Sequence, residues 1–231
     1  GYWGWDPVEN AALMPWLTGT AFIHSVMVQE RRGRLRVWNV SLIIATFVLA
    51  LTGTLLVRSG ILQSVHAFGN STLGLPFTVF VVVVLIGSSA LVVSRLDALR
   101  SPPRDTALLS RDTFLLLNNI ALVGLCFIVF WGTFFPLISE AVSGERASVG
   151  PPWFAETTTP VGFVLVLLAA VGPIVVWRRT PVRALLRALR FPLAAATVAV
   201  AVAVAFAGAG SSLAAVAMFA LAASLLAVVA Q

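Results

Sequence analysis

The sequence predicts an all-α protein: a polytopic membrane bundle with about seven transmembrane helices. Of its 231 residues, 59% are hydrophobic and only 10% are charged. Mean hydropathy is +0.99, which lies outside the range of water-soluble domains. The apolar residues also fall in runs of about 20, the length that a helix needs to cross a bilayer.

Seven stretches have this length and character. They cover residues 11–29, 38–57, 75–94, 114–138, 161–177, 192–208 and 212–230. The last two are rich in Ala and Val and are also compatible with a single re-entrant pair. We divide the chain into a tryptophan-rich segment (1–74), a middle segment (75–191) and an Ala/Val-rich tail (192–231). Because the chain begins at Gly1 without a signal peptide, we expect it to be an excerpt of a longer protein.

The arginines predict the orientation. All 15 basic residues are Arg, and 13 of them fall in three loops on one side of the predicted bundle. Only Arg58 and Arg146 fall on the other side. Since arginine-rich short loops stay in the cytoplasm, the N-terminus and the loop 58–73 are predicted to face outward, and the C-terminus inward. We attribute the arginine clusters to topology and contact with anionic lipid, so the net charge of +6 does not indicate nucleic acid.

The N-terminal run combines an aromatic cluster with a helix start. Trp3 and Trp5 precede Asp6, Pro7 and Glu9, the pattern of a reciprocal capping box with proline in the first turn. The rings fit an aromatic belt at the membrane interface. They equally fit a platform for a flat apolar ligand at the start of a capped helix.

The chain also contains two histidines and one cysteine, residue types that can bind metals or react. His24 lies within the first predicted span, where an ionisable residue suggests a functional site; the alternative is a neutral histidine hydrogen-bonded between helices. His66 lies in the outer loop, where a lone histidine is usually solvated. Cys126 stands alone within an apolar run, which excludes an internal disulfide, a CxxC pair or a cysteine-based metal site within this chain.

Two long strings resemble one known family. WGWDPVENAALMPWLTGTAFIHS is similar to the tryptophan-rich "WWD" signature of the CcmF family of cytochrome c-type biogenesis proteins, and LTGTLLVRSGILQSVHAF is similar to a second stretch of that family. WGTFFPLISE and SVGPPWF extend the similarity to about residue 180. The usual signature begins with a further Trp-Gly pair, and here Gly1 cuts into that pair. Val8 and Asn10 favour the CcmF branch over system II synthases, which typically carry Lys after the Asp-Pro pair.

The resemblance implies a role in cytochrome c maturation at the outer face of the bacterial cytoplasmic (inner) membrane. A family member takes haem from a periplasmic chaperone (CcmE) and, as a haem lyase subunit working with CcmH/CcmI-type thiol and apocytochrome-handling subunits, joins it to CxxCH motifs of apocytochrome c. By the same resemblance, His24 would bind an intramembrane haem b and His66 a transient outer haem. Arg58 would pair with a propionate, the alternative being a snorkelling side chain. The resemblance also implies a haem platform formed by Trp3, Trp5, Asp6, Pro7, Glu9 and Asn10. It identifies no catalytic residue.

A distance argument separates the two histidines. His24 lies 13 residues into the first predicted span, which is about 20 Å at 1.5 Å per residue, whereas His66 is outside. Two imidazole ligands of one iron are only about 4 Å apart, given iron–nitrogen bonds of about 2 Å. We therefore expect two haem sites, for which the longer protein supplies one further histidine before Gly1 and another after Gln231.

Two other functions compete with haem attachment. A transporter of haem or another small molecule would favour polar groups at the midplane and an internal repeat. Asn118 and Asn119 are the one adjacent polar pair near such a depth, and no repeat is evident. A purely structural assembly subunit would use the histidines as core residues, and replacing them would leave the haem content unchanged.

Overall fold

The computed structural model describes residues 2–59, 62, 74–101, 107–177, 179–207 and 212–230, and all regular structure in these ranges is helical. The predicted all-α class is confirmed. A 3₁₀ turn, Gly172–Ile174, lies between the sixth and seventh helices. The helices are α1 (Pro7–Arg32), α2 (Arg36–Ser59), α3 (Gly74–Ser94), α4 (Leu96–Leu99), α5 (Arg111–Ser143), α6 (Pro151–Val171), α7 (Val182–Ala188), α8 (Arg190–Ala207) and α9 (Leu213–Val229).

The described helices make the chain a multi-pass membrane protein. Five are long and apolar enough to cross a bilayer: α1, α2, α3, α5, and α6 together with its 3₁₀ turn. Helices α7 and α8 give a sixth when they are counted as one span bent by 41°. Helix α9 has 17 residues, below the usual length of about 20. By length and composition the described residues thus provide five or six spans, where the sequence predicted about seven.

The fifth predicted span began too late in the sequence. Its predicted start was residue 161, but α6 begins at Pro151 and continues through Pro160. Two prolines open α6, and a proline in the first turn loses no intrahelical hydrogen bond. The helix ends at Val171, just before Pro173, so prolines determine both ends. The consequence is that Trp153 and Phe154 belong to a helix rather than to an outer loop.

The chain divides into two compact units. Unit 1 comprises Gly1–Pro102 and Leu122–Thr159, and unit 2 comprises Pro103–Ala121 and Pro160–Gln231. In unit 2, α8 packs on α9, and the Ser224 hydroxyl donates to the Pro192 carbonyl at 3.3 Å. Unit 1 contains the tryptophan-rich N-terminus.

Small residues and polar pairs join α1 to α2 in unit 1. A Cβ added at Gly53 would lie 3.5 Å from both the Cβ and the carbonyl oxygen of Ala11, so the backbones approach closely here. The Thr46 hydroxyl lies 2.9 Å from that of Thr18. Within a bilayer, helices associate through such packing and hydrogen bonds rather than through the hydrophobic effect. The α1–α2 pair therefore forms a firm support for the segment that precedes α1.

Candidate functional site

Four aromatic rings come together near the start of α1 in unit 1, and we call them the aromatic cluster. Trp5 stacks on Phe154 of α6, with ring centroids 4.9 Å apart and planes inclined by 6°. Trp3 meets Trp5 edge to face at 6.0 Å, and Trp153 meets Phe154 in the same way at 5.2 Å. Such geometries are the favourable ones for aromatic pairs. The fold thus joins the N-terminal tryptophans to the SVGPPWF stretch.

The backbone at Trp5 is held in the left-handed region, with φ of 59°. A bulky residue rarely adopts this conformation unless its surroundings enforce it. Glu9 Oε2 accepts hydrogen bonds from the Gly4 N–H at 2.9 Å and from the Asp6 N–H at 3.1 Å. The Asn10 amide donates to the Trp5 carbonyl at 3.2 Å. Three hydrogen bonds around one residue therefore direct the Trp5 ring.

The predicted capping box is confirmed. Asp6 is the N-cap residue of α1, and its side chain accepts from the Val8 N–H at 3.0 Å. In turn, the Glu9 carboxylate accepts a hydrogen bond from the Asp6 N–H, and Pro7 is the first residue of the helix. The same Glu9 carboxylate thus begins the helix and fixes the Trp5 backbone.

Asn10 links the aromatic cluster to α5. It is only 1% exposed, and its amide nitrogen also donates to the Thr133 hydroxyl at 3.0 Å. Thr133 in turn donates to the Val129 carbonyl at 2.7 Å. Asn10 Oδ1 has no hydrogen-bond partner in the described part of the chain. Asn10 is therefore a positioning residue whose remaining acceptor is available to a ligand.

We expect Asn10→Leu to destabilise unit 1, because the part-buried Trp5 carbonyl and the buried Thr133 hydroxyl would each lose a hydrogen-bond donor. The cost of such a loss is about 1–3 kcal/mol. Thermal unfolding of the full-length protein in detergent should show a melting temperature lower by several degrees, with altered tryptophan fluorescence. A suitable control is Thr20→Ala, which removes a hydroxyl bonded to its own helix at the Trp16 carbonyl. Equal melting temperatures for the two variants would contradict the positioning role.

Gly132 of α5 allows the rings to approach the helix. A Cβ at this position would lie 2.6 Å from atoms of both Phe154 and Trp153, closer than real Cβ contacts. Only glycine therefore leaves room for these rings. The signal for this in the sequence is weak, since one glycine within an apolar run has many explanations.

A pocket of about 390 Å³ lies beside the aromatic cluster. This volume is within the range of small-molecule sites. Its rim includes the segment after α5, which the Ser139 hydroxyl holds by accepting from the Ala147 N–H at 3.0 Å. Our sequence analysis did not assign Arg146 to a site, although it is one of only two arginines outside the arginine-rich loops. The pocket is lined by Trp5, Pro7, Asn10, Leu62, Gly132, Thr133, Pro136, Arg146, Ser148, Val149 and Phe154.

The other candidate residues lie elsewhere. His24 is half-buried on α1, 17 residues after Pro7, which is about 25 Å along a helix. Arg58 is exposed in the last turn of α2 and lines a second pocket of about 400 Å³ between α1 and α2. Among the described residues, neither side chain lines the pocket of Trp5. His66 lies outside the described residues.

Comparison with known proteins places these features in a family. The family model for Cytochrome C assembly protein matches residues 1–63. CcmF from Pseudomonas aeruginosa is 46% identical over 199 residues, which are 86% of this chain and 30% of that protein. CcmF from Escherichia coli is 43% identical over 180 residues, which are 78% of this chain and 28% of that protein. The chain therefore spans about 30% of the length of these relatives.

A solved structure agrees with the sequence relatives. The protein titled "Cytochrome c Heme Lyase CcmF" matches all of this chain and 33% of its own length, with a TM-score of 0.73 and 30% identity. The matched relatives and the matched structure carry the same name. On this evidence the chain belongs to the CcmF family of cytochrome c-type biogenesis proteins.

Proposed function

We propose that this chain is the haem-handling part of a longer protein that matures cytochrome c in the bacterial cytoplasmic membrane. It would take part in attaching haem to the CxxCH motif of apocytochrome c at the outer, periplasmic face. The observation that carries the proposal is the enforced left-handed conformation of Trp5, which sets an aromatic cluster beside a pocket containing Arg146. The relatives are named for cytochrome c biogenesis, which favours this function over a transporter or a purely structural subunit.

The residues of the site fit haem, a flat apolar macrocycle with two carboxylates. Tyr2 and Trp3 are 90% and 47% exposed, so they can present apolar surface to the macrocycle. Arg146 and the buried amide of Asn10 line the adjacent pocket, and a guanidinium is a strong partner for a carboxylate. In the proposed platform, Trp3 and Trp5 hold the ring.

The other four proposed platform residues, Asp6, Pro7, Glu9 and Asn10, act by positioning Trp5. Asp6 and Pro7 set the start of α1. Glu9 and Asn10 hold the backbone on either side of the tryptophan. Their role is to keep the platform in one geometry before haem arrives, which lowers the entropic cost of binding.

We further propose two axial ligands at two depths. His24 would bind a b-type haem within the membrane, and His66 would bind the transient haem at the outer face. Leu62 lines the pocket, and four residues span at most about 14 Å, so the chain length allows His66 to reach it. Arg58, on the second pocket, would pair with a propionate.

The attachment chemistry would use thiols from other proteins. Bound haem supplies the vinyl groups to which cysteine thiols add. Cys126, the one cysteine of the chain, is buried, 3.8 Å from the Met14 carbonyl. The reacting thiols would therefore come from apocytochrome c, delivered with CcmH/CcmI-type subunits, and the haem from a CcmE-type chaperone. The residues of this chain would bind and orient the macrocycle.

Replacing Trp3 with alanine in the full-length protein should lower the yield of mature cytochrome c about tenfold, equivalent to about 1.4 kcal/mol of lost ring contact. The yield would be measured by haem staining in cells that lack their own copy. Trp16→Ala is the matched control, because Trp16 is also exposed, at 62%, but lies outside the aromatic cluster. Equal yields for the two variants would refute the platform.

A further inference from the structure

A pocket of about 450 Å³ lies on the arginine-rich side of unit 2. Its walls are apolar except for Arg179 and Thr180. None of the described residues assigned above to haem handling lines this pocket. It is lined by Ala107, Leu108, Leu109, Arg179, Thr180, Pro181 and Val182.

Hydrogen bonds between two segments preform this pocket. The Thr180 N–H donates to the Leu109 carbonyl at 2.8 Å, and the Thr180 hydroxyl accepts from the Val176 N–H at 3.0 Å. Two residues after Leu109, the Arg111 N–H donates to the Val176 carbonyl at 2.9 Å. The segment before α5 and the segment after α6 are thereby held together, with the pocket at their junction.

The arginines near this pocket differ in whether their side chains are used within the fold or are exposed. The Arg111 guanidinium lies 5.6 Å from the Trp177 ring centroid and donates to the Pro173 carbonyl, so it serves the junction itself. Arg179 lines the pocket and is exposed. Arg183 is also exposed and directly follows Val182 of the pocket wall.

Exposed apolar side chains accompany these charges. Leu108, Val182 and Leu186 are 85%, 56% and 61% exposed. Apolar and cationic side chains exposed together are typical of segments at the boundary between headgroups and acyl chains. Helix α5 begins at Arg111, two residues after Leu109, and α7 begins at Val182, so the pocket walls adjoin the starts of two helices.

We propose that this pocket binds one anionic phospholipid. An acyl chain would lie against Leu109, Pro181 and Val182, and the phosphate would contact Arg179 and Arg183. A small inorganic anion would satisfy the charges but leave apolar walls uncovered, which is why we assign a lipid. The arginine distribution predicts that this side is cytoplasmic, and the cytoplasmic leaflet carries anionic lipids that attract such clusters.

The test uses the full-length protein in detergent, with binding of phosphatidylglycerol and phosphatidylcholine counted by native mass spectrometry. Wild type should retain phosphatidylglycerol in preference to phosphatidylcholine. Arg179→Gln should weaken phosphatidylglycerol binding about fivefold. Ala107→Phe, which fills the pocket without changing charge, should weaken it as well. Arg100→Gln is the matched control, since Arg100 is highly exposed, pairs with Asp97 and does not line this pocket.

Three outcomes would overturn the proposal. The first is equal retention of the two lipids by wild type. The second is unchanged phosphatidylglycerol binding in both Arg179→Gln and Ala107→Phe, or an equal loss in Arg100→Gln. The third is complete displacement of the lipid by inorganic phosphate at matched concentration, which would show that the site recognises a free anion.

Discussion

Full-length protein carrying His24→Ala is expected to lose its b-type haem absorption in reduced-minus-oxidised difference spectra. In the proposed assignment, His24 would hold the intramembrane haem through its iron, so its replacement would remove that bond and the expected loss is complete. His24 is half-buried on α1, about 25 Å along the helix from its start. This distance separates His24 from Trp3 and Trp5 of the aromatic cluster, which precede α1.

Two further variants should be compared with His24→Ala. Ile23→Ala changes the neighbouring side chain, which is 62% exposed, and should leave the spectrum intact. His66→Ala should keep the b-type signal while lowering the yield of mature cytochrome c. A normal b-type signal in His24→Ala would contradict the assignment. Absence of haem in every sample under haem-replete expression would instead favour a structural subunit.

Gly132→Ala should disrupt the aromatic cluster and abolish most cytochrome c maturation. The added methyl group would lie 2.6 Å from Phe154 and Trp153, so both rings must move outward. Trp5 already stacks on Phe154, and any such movement breaks that stack. Overpacking of this kind costs about 1–3 kcal/mol. The measurements are the yield of mature cytochrome c and the tryptophan fluorescence of the purified protein.

Gly124→Ala provides the matched control on the same helix. A Cβ at Gly124 meets no described atom within 4 Å, so this change should be neutral or slightly stabilising through helix propensity. Should Gly132→Ala and Gly124→Ala give the same yield and fluorescence, the close approach of the rings to α5 would not matter for function.

Local sequence patterns predicted a helix boundary well where the residues at that boundary form a recognisable capping motif. Asp6, Pro7 and Glu9 predicted the start of α1, because a capping box depends only on residues three positions apart. The predicted start of the fifth span at residue 161 was ten residues late, because the apolar run begins there whereas α6 already begins at Pro151 and continues through Pro160. In the described residues the number of spans is lower than the seven predicted, because α7 and α8 form a bent pair and α9 is short.

The sequence by itself determined the membrane class, the start of α1 and the resemblance to CcmF, because hydropathy, capping and motif strings are properties of neighbouring residues. Only the tertiary structure placed Phe154 against Trp5, Gly132 beneath the rings and Arg146 at the pocket. Asn10 and Thr133, which are bonded in the fold, are 123 positions apart. Contacts at such separations arise from helix packing, and no local period in the chain encodes them.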